Sequence, residues 1–94
     1  MNKKILRMLF GAKVAEINYL APYAGEKENP AVWNINKLCE HFLQDRPGTP
    51  NIINHFDGLK NSLETFPLIT DEQKVLYTKL GEALVFFNVI NASI

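Results

Sequence analysis

Thr49-Pro50-Asn51-Ile52-Ile53-Asn54-His55-Phe56-Asp57-Gly58-Leu59-Lys60-Asn61-Ser62-Leu63-Glu64-Thr65-Phe66, followed after Pro67 by the run from Leu68 to Ile94, is the half of the chain that decides the fold. Ile52, Phe56, Leu59, Leu63 and Phe66 recur at i, i+4, i+7, i+11 and i+14, so they share one face of a helix. Beyond Pro67, Leu76, Leu80, Ala83, Leu84 and Phe87 draw a second stripe. The chain then closes on Phe86-Phe87-Asn88-Val89-Ile90-Asn91-Ala92-Ser93-Ile94, apolar on nearly every side. Thr49-Pro50 starts the first of these helices with a cap followed by proline. Thr70-x-x-Gln73 starts the second with a capping box, and Asp71 and Glu72 lie in its first turn, where carboxylates suit the helix dipole.

Working back toward the N-terminus, Asp45-Arg46-Pro47-Gly48 is a turn by composition. Before it, Asn29 caps and Pro30 opens a helix whose stripe is Val32, Ile35, Leu38, Cys39 and Phe42. Trp33 lies off that line, either as a flanking core residue or as an exposed aromatic contact. The first helix carries Leu6, Phe10, Val14, Ile17 and Ala21 on one face, with Leu9 and Leu20 beside it. Gly11 weakens its middle by about 1 kcal/mol relative to alanine. Pro22 and Gly25 stop it. The expected helices are therefore about 3–20, 31–44, 50–65 and 71–88, with a short tail over 89–94. Four helices joined by short connections predict one all-α domain over 1–94, an antiparallel up-down-up-down four-helix bundle. Gly58 and Gly81 sit inside the last two helices, and close backbone approach between packed helices is the expected reason for them.

With 94 residues the chain holds one modest core. Its formal net charge is zero, which argues against a general binder of nucleic acid. That zero conceals an asymmetry. Up to residue 24, Lys3, Lys4, Arg7 and Lys13 face Glu16 alone, whereas the remainder is slightly acidic. Lys3, Lys4, Arg7 and Lys13 are thus candidates for contact with an anionic membrane surface, against the alternative of an ordinary solvated helix face. The single cysteine, Cys39, excludes a disulfide scaffold and predicts a reducing compartment. Arg7 and Lys13 interrupt the apolar stretch that a signal peptide needs. No run approaches the roughly 18 apolar residues of a membrane span. The expected location is the cytoplasm.

No constellation in the sequence carries catalysis. His41 and His55 stand on either side of the central turn and approach one another in an antiparallel pair, with Cys39 and Glu40 nearby. That set is too sparse for a regular metal site. Glu40 and Glu64 supply carboxylates, but only Arg7 and Arg46 supply guanidinium groups. Neither an enzyme nor a bound cofactor or metal is expected. The least ordinary feature is the stretch Ala83–Phe87 with Val89, Ile90 and Ile94. One helix face buries part of it; the rest calls for a folded-back tail, a partner or membrane.

Taken together, the basic first helix, the second helix ending in a polar turn, Thr49-Pro50-Asn51-Ile52-Ile53-Asn54, and Leu68-Ile69-Thr70-Asp71-Glu72-Gln73-Lys74 with Leu76 and Leu80 form a recognisable pattern. It resembles the immunity proteins of pediocin-like (class IIa) bacteriocins, chiefly over residues 47–90. The resemblance implies a cytoplasmic antiparallel four-helix bundle without enzymatic activity, lying at the inner face of the cell membrane. Such proteins protect the producing cell by recognising the membrane components of the mannose phosphotransferase permease when bacteriocin is bound there. The C-terminal half generally sets which bacteriocin is countered. Recognition is accordingly expected on Lys60, Asn61, Glu64, Tyr77, Phe86, Asn88, Ile90 and Ile94, chosen here as surface positions. The alternative is a small helical interaction or regulatory module with a different partner.

Overall fold

A computed structural model describes residues 3–43 and 50–92. They form four helices, α1 (Lys3–Leu20), α2 (Pro30–Leu43), α3 (Pro50–Glu64) and α4 (Asp71–Ala92), with no strand among the described residues. The turn expected over Asp45–Gly48, the Thr49 cap and Ile94 lie outside the described residues, as do the side chains of Lys3 and Phe42.

The end of α1 and the starts of α2 and α4 are explained by bonds within a few residues. Gly25 takes φ +72° after α1, a left-handed conformation that costs glycine nothing. Its N–H donates to the Pro22 carbonyl (3.1 Å) and that of Glu26 to Ala21 (2.9 Å), a Schellman arrangement that satisfies the last carbonyls. Asn29 caps α2 by accepting the Ala31 N–H at 2.8 Å. Thr70 and Gln73 exchange hydrogen bonds at the start of α4: the Gln73 N–H donates to Thr70 Oγ1 (3.1 Å), and Gln73 Oε1 accepts from the Thr70 N–H (2.9 Å). Glu26 ties two of these starts together. One carboxylate oxygen accepts from Asn29 Nδ2 (3.0 Å), the other from Gln73 Nε2 (3.2 Å).

The core takes one stripe from every helix: Phe10, Val14 and Ile17; Ile35 and Leu38; Ile52 and Leu59, with Phe66 just beyond α3; Leu76, Leu80, Ala83, Phe87 and Ile90. Phe56, Leu63, Leu84 and Phe86 are partly buried against it. α1 rests on α2 and α4, and α3 rests on the same two helices. The radius of gyration is 12.7 Å, close to the roughly 13 Å of a compact domain of about 100 residues.

α4 is longer than expected. It runs to Ala92, so residues 89–92 are helix and not a tail. The physical reason is its stripe. Leu76, Leu80, Ala83, Phe87 and Ile90 follow the same i, i+4, i+7, i+11, i+14 spacing as α3, and Ile90 is the next buried position, 2% exposed. Burying it rewards another turn of helix.

The two helical glycines also differ. A Cβ on Gly58 would lie 2.9 Å from Asn34 Oδ1 and 3.1 Å from its Cγ, so α3 approaches the Asn34 side chain of α2. Asn34 is buried, and its Nδ2 donates to the Pro30 carbonyl at 2.9 Å. Around Gly81 there is nothing within 4 Å, so close packing does not account for it. Opposite effects are expected. Gly81→Ala stabilises by about 0.5–1 kcal/mol through helix propensity. Gly58→Ala loses about 1 kcal/mol net, because displacing the held amide costs about 1–3 kcal/mol. Urea unfolding followed by circular dichroism checks both; equal shifts for the two variants would contradict this account.

Candidate functional site

Helical spacing gives α4 two distinct flanks. Tyr77, Leu84, Asn88 and Asn91 (i, i+7, i+11, i+14) form the side toward α3. Tyr77 packs its ring on Phe66 at 5.8 Å, and Phe87 packs on Phe56 of α3 at 5.7 Å. Across the seam, Ile53, Phe56, Lys60 and Glu64 line the facing flank of α3. Ile52, Ile53, Phe56, Phe87, Asn88 and Asn91 enclose a small groove there, apolar on its floor and edged by two amides. Lys60 is exposed and sits over the Phe56 ring, with Nζ 5.2 Å from the centroid and 4.0 Å from Asp57 Oδ1.

The expected recognition residues therefore do not form one patch. Lys60, Glu64, Tyr77 and Asn88 follow the α3/α4 seam, all exposed; Asn61 is exposed but turned away from it. Phe86 lies on the opposite flank of α4, half-buried and stacked on Phe10 of α1 with centroids 6.4 Å apart. Ile90 is a correction: it is a core residue and offers no surface to a partner. Its place on the α4 stripe outweighs its place near the end of the chain.

On the α1 side, Lys13 Nζ sits 5.5 Å from the Phe86 centroid, and Glu16 pairs with Lys79 at 3.2 Å. Lys13, Gly81, Glu82, Val85, Phe86 and Val89 line an open, mainly apolar groove. Lys4 is exposed and Arg7 half-buried on α1. Exposure of part of the Ala83–Phe87 and Val89 stretch was expected and falls on Val85 and Val89, whereas the exposed Ile5, Met8, Leu9 and Ile53 were not anticipated. The signal for α1 was present: once Leu6, Phe10, Val14 and Ile17 are assigned inward, the opposite side reads Ile5, Met8, Ala12, Ala15 and Tyr19, with no charge.

A third cluster lies between α2 and α3. Trp33 is 55% exposed, which settles its two readings in favour of the exposed aromatic. Its ring meets the His55 ring edge-on at 5.1 Å, and Lys37 lies over it at 5.5 Å. His41 and His55 do approach, with centroids 5.9 Å apart. Nδ1 of His55 is 3.3 Å from Asn34 Oδ1. Burial first, then the nearby His41 and Lys37, push the His55 pKa below the ordinary imidazole value, against a smaller opposing pull from Glu40. The His55 imidazole is thus held toward its neutral form. Burial, with Glu40 second, raises the Cys39 thiol, which disfavours the thiolate. Among the described residues no three His, Cys, Asp or Glu side chains converge on a point that would hold a metal ion. Glu40 and Glu64 both stand at the surface, Glu40 accepting from Lys37 at 3.4 Å.

The fold and these surfaces define the protein as a small four-helix protein whose distinctive feature is exposed apolar surface beside α4. Among the described residues no helix is long and apolar enough to cross a membrane. Set against protein-family models, curated proteins and solved structures, the chain finds no match.

Proposed function

We propose that this protein is an immunity protein of the pediocin-like type. In this reading it lies on the cytoplasmic side of the membrane and recognises the membrane components of the mannose permease with bacteriocin bound. It thereby keeps the pore shut. The observation that carries the proposal is the α3/α4 groove. Ile52, Ile53, Phe56 and Phe87 offer an apolar floor, and Asn88 and Asn91 offer amides at its edge. Such a floor rewards an inserted apolar side chain, while the amides penalise a partner that leaves them unpaired. The groove also falls mostly within residues 47–90, where the resemblance is strongest.

The same reading calls for an antiparallel, up-down-up-down order of helices. Supporting it, Phe10 near the start of α1 meets Phe86 and Phe87 near the end of α4, while Glu16 meets the earlier Lys79. Likewise Phe56 in α3 meets Phe87, and Phe66 just beyond α3 meets Tyr77.

Expression in a bacteriocin-sensitive Gram-positive strain, followed by challenge with a panel of pediocin-like peptides, tests the proposal. Protection against at least one peptide is expected. Ile53→Glu and Asn88→Lys, both at exposed positions, are expected to abolish that protection while leaving the helical circular dichroism spectrum unchanged. Unchanged sensitivity to every peptide with the folded wild-type protein present would overturn it. A second reading, an interaction module with another partner, draws on the exposed Trp33, because tryptophan often anchors interfaces. No protection by the folded wild type, together with capture of a protein partner that Trp33→Ala abolishes and both seam variants retain, would favour it.

A further inference from the structure

A helix packed on a core by one face normally turns a polar face to water. α1 does not. Opposite Leu6, Phe10, Val14 and Ile17 its outward side carries Ile5, Met8, Ala12, Ala15 and Tyr19, all exposed, with Leu9 at the margin. Met8 is 66% exposed and Tyr19 67%. On the neighbouring edge of α4, Val85 and Val89 are exposed beside Phe86 and extend the apolar surface. The charges around this face are mostly basic, with Glu16 beside α1 and Glu82 at the α4 edge as the nearby acids. Residues 3–15 contain Lys3, Lys4, Arg7 and Lys13 and no carboxylate, and residues 83–92 contain no ionisable side chain. The first acid along α1 is Glu16, which is engaged by Lys79.

We propose that the outer face of α1, with the Val85–Val89 edge of α4, binds the surface of an anionic lipid bilayer. The apolar side chains enter the boundary between headgroups and acyl chains, and the lysines at the margins reach back to the headgroup phosphates. Tyr19 and Tyr23, exposed and in ring contact at 5.5 Å, stand at the far end of the face, where amphipathic rings suit the headgroup level. Charge complementarity selects this occupant. A second copy would set the lysine and arginine excess of residues 3–15 against itself, whereas an anionic bilayer neutralises it. The proposal uses residues other than the α3/α4 groove and does not depend on the immunity reading.

Flotation of the purified full chain with phosphatidylglycerol–phosphatidylcholine vesicles, which hold no permease, tests it. Binding is expected to the anionic vesicles, to weaken in high salt, and to be lost on pure phosphatidylcholine vesicles. Met8→Glu and Val85→Glu are each expected to weaken it at least about tenfold, since each places a carboxylate where the lipid would be. Ile53→Glu and Ile69→Glu, at equally open apolar positions elsewhere, are expected to leave it unchanged. Circular dichroism verifies that each variant is folded. The proposal is overturned if the folded wild type stays with the soluble fraction, or if the Ile53 and Ile69 variants weaken flotation as much as the Met8 variant. Sedimentation that reveals a self-associated species abolished by Met8→Glu, without lipid binding, would assign the face to a second copy instead.

Discussion

Phe10→Ala is expected to remove about 3–5 kcal/mol of stability, a large share of the roughly 5–15 kcal/mol that holds a domain of this kind folded. Phe10 is fully buried and occupies the middle of an aromatic chain that joins three helices. Its ring stacks on Phe86 with only 8° between planes and meets Phe87 at 5.8 Å; Phe87 in turn meets Phe56 of α3 at 5.7 Å. Truncation removes the apolar area and also leaves a space that Phe86 and Phe87 cannot both collapse into. Urea denaturation followed by far-ultraviolet circular dichroism reads the loss directly. Tyr19→Ala, on the exposed side of the same helix, is expected within about 0.5 kcal/mol of wild type. A Phe10→Ala loss below 1 kcal/mol would mean that this chain of rings does not organise the core.

The second large effect is expected at Ile90. Ile90→Asp puts a carboxylate where the side chain is 2% exposed, at a cost of about 3–5 kcal/mol. Val85→Asp, one and a half turns earlier on the same helix and 64% exposed, is expected to stay within about 1 kcal/mol of wild type. Thermal unfolding of the two variants side by side makes the comparison, and similar melting temperatures would show that the last turn of α4 is not docked. The contrast bears on how function is assigned. Removing residues from 86 onward deletes Phe87 and Ile90 from the core, so lost protection after such a truncation reports unfolding as readily as lost recognition. Surface substitutions such as Asn88→Lys avoid that ambiguity.

Much of the helical framework was legible locally. Asn29 before Pro30, the Thr70–Gln73 pair and Gly25 act through hydrogen bonds that span two to five residues, so sequence spacing alone identifies them. The starts of α1, α3 and α4 coincide with expectation, and α2 begins one residue earlier, at Pro30. The candidate site was less legible. Tyr77, Asn88 and Lys60 do follow one seam, but Phe86 faces α1, and Ile90 faces inward. From Ala83 to Ile90 most side chains are apolar, so little contrast within the segment indicates which direction is the core.

The amino-acid sequence by itself determined that this protein is helical, where its helices start, and which stripes turn inward, that of α4 as far as Phe87. Those properties follow from backbone capping and from apolar periodicity against a polar background. Only the tertiary structure decided that α4 continues to Ala92 with Ile90 inside and Val85 outside, that Gly58 makes room for Asn34, and that α1 shows an apolar face outward. The reason is the same in each case. A segment apolar in every direction has no preferred side of its own, and its orientation is set by the helices packed against it.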